Sequence, residues 1–158
     1  RVPWAGLRRR DRLGRRGRPF TIRKFRSMRR DAEKEGARYA ERRDPRTTRV
    51  GRFLRPTGLD ELPQLWDVLL GRMSLIGPRA ERPEFSEQLS AALPLYRARL
   101  LVRPGMVGWA EVHIRHADTL EQHLERLEYD LYYIKQADLL LDLDVAIRAL
   151  GLAFTGRR

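Results

Sequence analysis

Apolar positions in this chain form short patterns, each closed by Gly or Pro. Residues 7–28 predict a β-hairpin, with Gly14-Arg15-Arg16-Gly17 as its turn. On the second arm Phe20, Ile22 and Met28 fall on one side. Phe25 breaks that phase, and Lys24 falls on the Phe20 face. Such a break marks a bulge or a strand end. Residues 28–43 predict a highly charged helix with Ser27 as its N-cap and Gly36 as a weak point, ending in the loop 44–48. Val50, Phe53 and Leu54 are spaced as one helical turn, stopped by Pro56 and Gly58. A second helix, capped by Thr57 or Gly58, runs through Leu65, Trp66, Val68, Leu69 and Leu70 to Gly71, and Pro63 should kink it.

Further on, Phe85, Leu89 and Leu93 share a helical face within 83–100, with Pro94 as a break. Arg103-Pro104-Gly105-Met106-Val107-Gly108-Trp109 reads as a turn-rich loop. Thr119 is placed to cap a helix through Leu120, Leu124 and Leu127, toward the aromatic run at 129–134. Residues 145–154 form an apolar stretch interrupted only by Arg148, ahead of Thr155-Gly156-Arg157-Arg158. That stretch either completes the core or lies in a bilayer interface. The predicted fold class is α+β: one mainly helical domain with a small basic N-terminal β-hairpin.

Charge changes this picture. The net charge is +12, and all of it resides at the N-terminus. Residues 1–30 carry 13 of the 33 Lys/Arg and the single acid Asp11, while residues 31–158 carry 20 of each sign. A concentration of this kind calls for an anionic neighbour: nucleic acid, lipid headgroups or a phosphorylated substrate. There is no cysteine, which excludes disulfides, thiolate nucleophiles and cysteine zinc sites. No stretch reaches the ~20 apolar residues that span a bilayer. The chain begins at Arg1 rather than at a methionine and reads as part of a longer protein.

Candidate chemistry centres on Asp60-Glu61. Two adjacent acids at a helix start serve as capping residues or as a reactive pair. Arg52 and Arg55 precede them, and Arg72 and Arg79 follow. The turn at 73–79 should deliver Arg79 back toward the acids, and guanidinium groups bind phosphate oxygens bidentately. Lys24 and Arg26 are either aimed at phosphate or lie on a solvated strand. Arg103 and Trp109 either form a ligand wall or belong to a structural turn. His113 and His116 lack the company a zinc site needs. Asp142 and Asp144 read as a cap or surface pair rather than a metal pair.

Taken together, five ordered motifs resemble the bacterial sugar transferase family, the monotopic polyprenyl-phosphate phosphoglycosyl transferases. They are Lys24-Phe25-Arg26-Ser27-Met28, Leu59-Asp60-Glu61-Leu62-Pro63-Gln64-Leu65, Met73-Ser74-Leu75-Ile76-Gly77-Pro78-Arg79, Arg103 to Trp109, and Tyr129-Asp130-Leu131-Tyr132-Tyr133-Ile134. The resemblance implies a catalytic domain over 1–158 that transfers a sugar 1-phosphate from a nucleotide diphosphate sugar, a UDP-sugar, to undecaprenyl phosphate. It implies Asp60 as nucleophile, Mg2+ held by Glu61 with Asp60, and phosphate contacts from Lys24, Arg26, Arg55, Arg79 and Arg103. It also implies helices along the cytoplasmic face of the bacterial inner membrane and an upstream membrane-inserted helix outside this chain. The chain departs from the family pattern at Gly58, Asp67, Arg72 and Ala80.

Two other classes compete with an enzyme. A silent membrane-surface scaffold would form no covalent intermediate, and a nucleic-acid-binding module would survive loss of Asp60 and respond steeply to salt. The enzyme reading takes no nucleic acid as partner and leaves a homo-oligomer open.

Overall fold

A computed structural model of the chain describes residues 6–34, 36, 39, 44–114 and 117–154. Strands β1 (Leu7–Leu13) and β2 (Pro19–Phe25) form the predicted hairpin, in antiparallel register from Leu7↔Phe25 to Leu13↔Pro19. Gly14 N–H donates to the Arg18 carbonyl at 2.8 Å and closes the turn. The phase break at Phe25 is the strand's end. Ile22 on β2 is fully buried, and Lys24 follows it on the same face.

The helix expected over 28–43 is not formed among its described residues. Met28 bridges Thr47 instead, and residues 30–34 turn. The segment has no apolar stripe to bury, so it pairs edgewise. Arg29 N–H donates to the Arg46 carbonyl at 2.8 Å, and Thr48 N–H to the Ser27 carbonyl at 3.0 Å. Ser27 therefore caps nothing. Glu33 ties the segment to the hairpin through Arg10 at 2.7 Å and to Arg82, just before Pro83, at 3.2 Å. Residues 35, 37, 38 and 40–43 of that expected helix lie outside the described residues.

Helix α1 (Gly51–Thr57) ends where Gly58 adopts a left-handed conformation (φ 71°), a position that suits glycine. The single kinked helix expected next is divided in two. Leu59–Gln64 is a 3-10 helix containing Pro63, and α2 (Leu65–Leu69) follows. Pro63 lacks the N–H that a continuous helix would use.

Strands β3 (Ser74–Ile76) and β4 (Gly105–Val107) pair in parallel, and a further bridge joins Arg79 to Gly105. The sequence pattern predicted only turns at both places. The pairing depends on close backbone approach: a Cβ on Gly105 would stand 2.3 Å from Gly77 N and 2.5 Å from Gly77 O.

Helix α3 (Pro83–Ala92), a 3-10 helix (Tyr96–Leu101), α4 (Trp109–His113), α5 (Leu120–Gln136) and α6 (Leu139–Phe154) complete the fold. Thr119 and Gln122 form a reciprocal capping box at the start of α5. Leu89, Leu93, Tyr96 and Leu127 make the core, with Leu131 against it. Val145 of α6 is buried, whereas Leu139, Leu140, Leu143, Ile147, Leu150 and Phe154 are exposed. Among the described residues no helix is long and apolar enough to cross a membrane.

Gly105→Ala places a methyl group inside the Gly77 backbone and should lower stability by at least about 2 kcal/mol. Urea unfolding checks this, and an unchanged midpoint would contradict the close approach.

Candidate active site

Three segments converge on the Asp60-Glu61 pair. The 3-10 helix carries both acids, and each is less than a tenth exposed. The end of β2 supplies Lys24, whose Nζ lies 2.5 Å from Glu61 Oε1. The segment after β3 supplies Arg79, whose Nη2 donates to the same oxygen at 2.7 Å. Ser27 Oγ donates to Asp60 Oδ2 at 3.2 Å. Successive residues of a 3-10 helix point about 120° apart. Asp60 and Glu61 accordingly meet different partners.

Burial decides the electrostatics. It pushes the Asp60 carboxyl above the ordinary aspartate value, opposed by the charge of Lys24, reinforced by Glu61 and opposed again by Ser27 and Arg55. Burial likewise pushes Lys24 down, against the pull of Glu61. Glu61 holds Arg79 more firmly charged than a free arginine. Arg55 acts on Asp60 through space, without a direct bond.

Of the arginines expected at the phosphates, Arg79 is in direct contact with the acids and Arg55 is near them. Arg26 lies elsewhere, its guanidinium packed over Gly6 beside Arg8. Arg103 is exposed, with its guanidinium beside Gly71. Trp109 opens α4 under the guanidinium of Arg148, 5.4 Å from its ring centre.

Several site residues escaped the sequence reading. Ser27 was expected as a helix cap, and no local pattern marks its hydroxyl as a partner of Asp60. Arg12 on β1 has its pKa lowered to about 10, by burial first and then by the charge of Arg79. Glu81 offsets part of that shift, and Arg82 and Arg10 add to it. Asp67 is fully buried, with Oδ1 3.4 Å from Arg72 and 3.8 Å from Arg23.

The remaining polar motifs are structural. His113 stacks on Tyr129 at 4.7 Å, and its Nδ1 lies 2.8 Å from the Trp109 carbonyl oxygen. His116 and residues 155–158 lie outside the described residues. Asp142 accepts from the Tyr133 hydroxyl at 2.6 Å and Asp144 from Arg148 at 2.9 Å, so the two serve separate contacts.

Among the described residues no group of three or more His, Asp or Glu is placed to hold a metal. Asp60 and Glu61 are a two-carboxylate donor set. Such a set fits Mg2+, which binds through one or two carboxylates together with substrate phosphates and water.

The profile described as bacterial sugar transferase matches residues 5–156. The chain belongs to this family. It is 42% identical over 146 residues to the UDP-N-acetylgalactosamine-undecaprenyl-phosphate N-acetylgalactosaminephosphotransferase of Aeromonas hydrophila, covering 92% of this chain and 34% of that one. It is 38% identical over 151 residues to the UDP-glucose:undecaprenyl-phosphate glucose-1-phosphate transferase of Escherichia coli (strain K12), covering 94% and 32%. The UDP-glucose:undecaprenyl-phosphate glucose-1-phosphate transferase of Caulobacter vibrioides (strain ATCC 19089 / CIP 103742 / CB 15) is 41% identical over 155 residues, covering 97% and 58%. The sugar transferase chain thus spans about a third of the first two relatives.

The raised Asp60 pKa has a consequence for stability. Its contribution is fully present below the unfolded aspartate value of ~3.9 and is lost as pH rises through the higher folded value. Asp60→Asn in this sugar transferase should therefore melt above the wild type at pH 7. The gap should close as pH falls through the carboxylate range. A melting temperature for Asp60→Asn below wild type at pH 7 would contradict the burial argument.

Proposed function

We propose that residues 1–158 form the catalytic domain of a polyprenyl-phosphate phosphoglycosyl transferase, with a UDP-sugar as donor and undecaprenyl phosphate as acceptor. The observation that carries this reading is the shared Glu61 oxygen: Lys24 and Arg79 meet on it while Asp60 stands beside them, buried and ionisable. The names of the relatives support the choice of donor and acceptor.

In the first step a carboxylate oxygen of Asp60 attacks the sugar-proximal phosphorus. An Asp60–phosphorus ester forms, and the bond from phosphorus to the bridging oxygen breaks, releasing UMP. In the second step a phosphate oxygen of the polyprenyl phosphate attacks the same phosphorus. This restores the Asp60 carboxylate and yields the polyprenyl diphosphate sugar. Neither step needs a proton from the enzyme, because both leaving groups depart as anions.

Lys24, Arg79 and Arg55 stabilise the charge that develops on the phosphoryl oxygens. Arg12, held among them, adds to the positive field. Ser27 holds one Asp60 oxygen at 3.2 Å and leaves the other for attack. Mg2+ bound at Asp60-Glu61 would neutralise diphosphate charge. Arg26 and Arg103 reach the phosphates only if their side chains leave Gly6 and Gly71, so they rank behind Arg79.

The reading places the domain on the cytoplasmic face of the inner membrane, through its apolar surface. Leu59 and Leu62 are exposed on the 3-10 helix that carries Asp60. Trp66 and Leu69 on α2, Leu75 on β3 and Phe53 on α1 are also exposed. Helix α6 packs against α1 and β3 and adds Leu143, Ile147 and Leu150. Lipid acyl chains suit such a surface, and they would bring the acceptor phosphate to Asp60.

Incubation with UDP-sugar and Mg2+ should add one sugar phosphate to the chain at Asp60, read by mass spectrometry. Asp60→Asn should cut UMP release by at least about 1000-fold. Full turnover by Asp60→Asn with lipid acceptor present would end the nucleophile assignment.

Vesicle flotation tests the surface. Ile147→Asp, on an exposed position, should weaken binding to phospholipid vesicles about tenfold, or ~1.4 kcal/mol. Unchanged flotation would remove α6 from the membrane face.

A further inference from the structure

Arg79 reaches Glu61 from a backbone that needs its own anchor. Its side chain is about a third exposed, so packing alone does not fix the guanidinium. One anchor is the bridge from Arg79 to Gly105. The other is Arg99, from the 3-10 helix Tyr96–Leu101, whose Nη2 donates to the Arg79 carbonyl at 3.1 Å.

Arg99 is itself clamped. Its Nε donates to Asp130 Oδ2 of α5 at 2.6 Å, and its Nη1 donates to the Tyr96 hydroxyl at 2.6 Å. Arg99, Asp130 and Tyr96 are all buried beside the Leu89, Leu93 and Leu127 core. One guanidinium fork thus ties α5, the 3-10 helix and the Arg79 backbone together. A buried ion pair is a poor stabiliser compared with apolar side chains of similar volume. What apolar residues cannot supply is the directed bond to the Arg79 carbonyl.

We propose that Arg99, clamped by Asp130 and Tyr96, is a positioning residue for Arg79. It sets where the Arg79 guanidinium meets Glu61 and the donor diphosphate. This rests on the phosphoglycosyl transferase reading above. Arg99 touches neither substrate nor reacting atoms; it acts through Arg79. A displacement of about 1 Å at a group of this kind costs roughly 100-fold in rate.

The test is a double-mutant cycle of Arg99→Lys with Arg79→Lys. Lysine keeps a charge opposite Asp130 but has no planar fork to span Tyr96 and the Arg79 carbonyl. UMP release from UDP-glucose and from UDP-N-acetylgalactosamine, with Mg2+, is read in a single turnover. UDP affinity is read by calorimetry. Arg99→Lys should slow release about 10- to 100-fold. The double variant should be no slower than Arg79→Lys alone. A purely structural role predicts losses that multiply, and multiplied losses would overturn the proposal.

The calorimetric cycle separates the two claims. If UDP binds but no UMP is released, the reaction is refuted, while coupling or multiplication of the UDP affinities still decides the role of Arg99. A wild-type chain that binds no UDP overturns both. Should Arg99→Lys fail to fold, Tyr96→Phe removes one clamp bond at nearly constant volume and takes its place in the cycle. Losses that do not add to those of Arg79→Lys then support the positioning role, and losses that multiply overturn it.

Discussion

Glu61 Oε1 is where the chain's distant parts meet. Lys24 arrives from the N-terminal hairpin at 2.5 Å and Arg79 from beyond β3 at 2.7 Å. In a site this buried, a carboxylate without cations would be expensive, and so would either cation without the carboxylate. The interaction therefore constrains the hairpin, the 3-10 helix and the β3–β4 pair to one geometry. Removing one partner would strand the others, which makes the cluster a constraint on the fold as well as a charge store for chemistry. Burial raises the Asp60 pKa, and Lys24 beside it holds that rise in check. The same cation thus supports Glu61 and keeps Asp60 ionisable.

The local backbone divides the labour between the two acids. Gly58, in its left-handed conformation, ends α1 and permits a sharp restart. Pro63 then keeps the new segment from continuing as one regular α-helix. In the resulting 3-10 helix the two carboxylates diverge, Asp60 to Ser27 and Glu61 to Lys24 and Arg79. Gly58 offers no cap hydroxyl and no side chain caps this 3-10 helix; the Ser27 hydroxyl, from a remote segment, instead donates to the Asp60 carboxylate. Thr57, the other cap candidate, turns its hydroxyl back to the Phe53 carbonyl at 3.0 Å.

What could be read in advance follows from this. The hairpin, the Gly58 stop and the Thr119 cap depend on neighbouring residues, so short-range pattern revealed them. The β3–β4 pair has only three residues in each strand, too few for alternation to show. Its signal lay in Gly77 and Gly105, whose need for close approach looks like turn chemistry in sequence. The segment after Ser27 misled because charge content favours a helix locally, whereas edge pairing with 46–48 and the pull of Glu33 are tertiary. Ser27 on Asp60 and Arg99 on the Arg79 carbonyl span long separations, and no local pattern encodes them.

The N-terminal charge also changes meaning once folded. As sequence it suggested a free basic surface, and that surface was the ground for a nucleic-acid reading. In the structure Arg10 is bound to Glu33, Lys24 to Glu61, and Arg23 lies 3.8 Å from Asp67. The acids of 31–158 are thus partly spent on the hairpin's cations, and the two halves of the chain are held by opposite charge. Arg12 is placed differently. Its guanidinium bonds the neighbouring Asp11 carbonyl at 2.9 Å; burial and then the charge of Arg79 press its pKa down, against the pull of Glu81. A cation kept in such company is stabilised most by an incoming anion, and a diphosphate at Asp60-Glu61 would bring one.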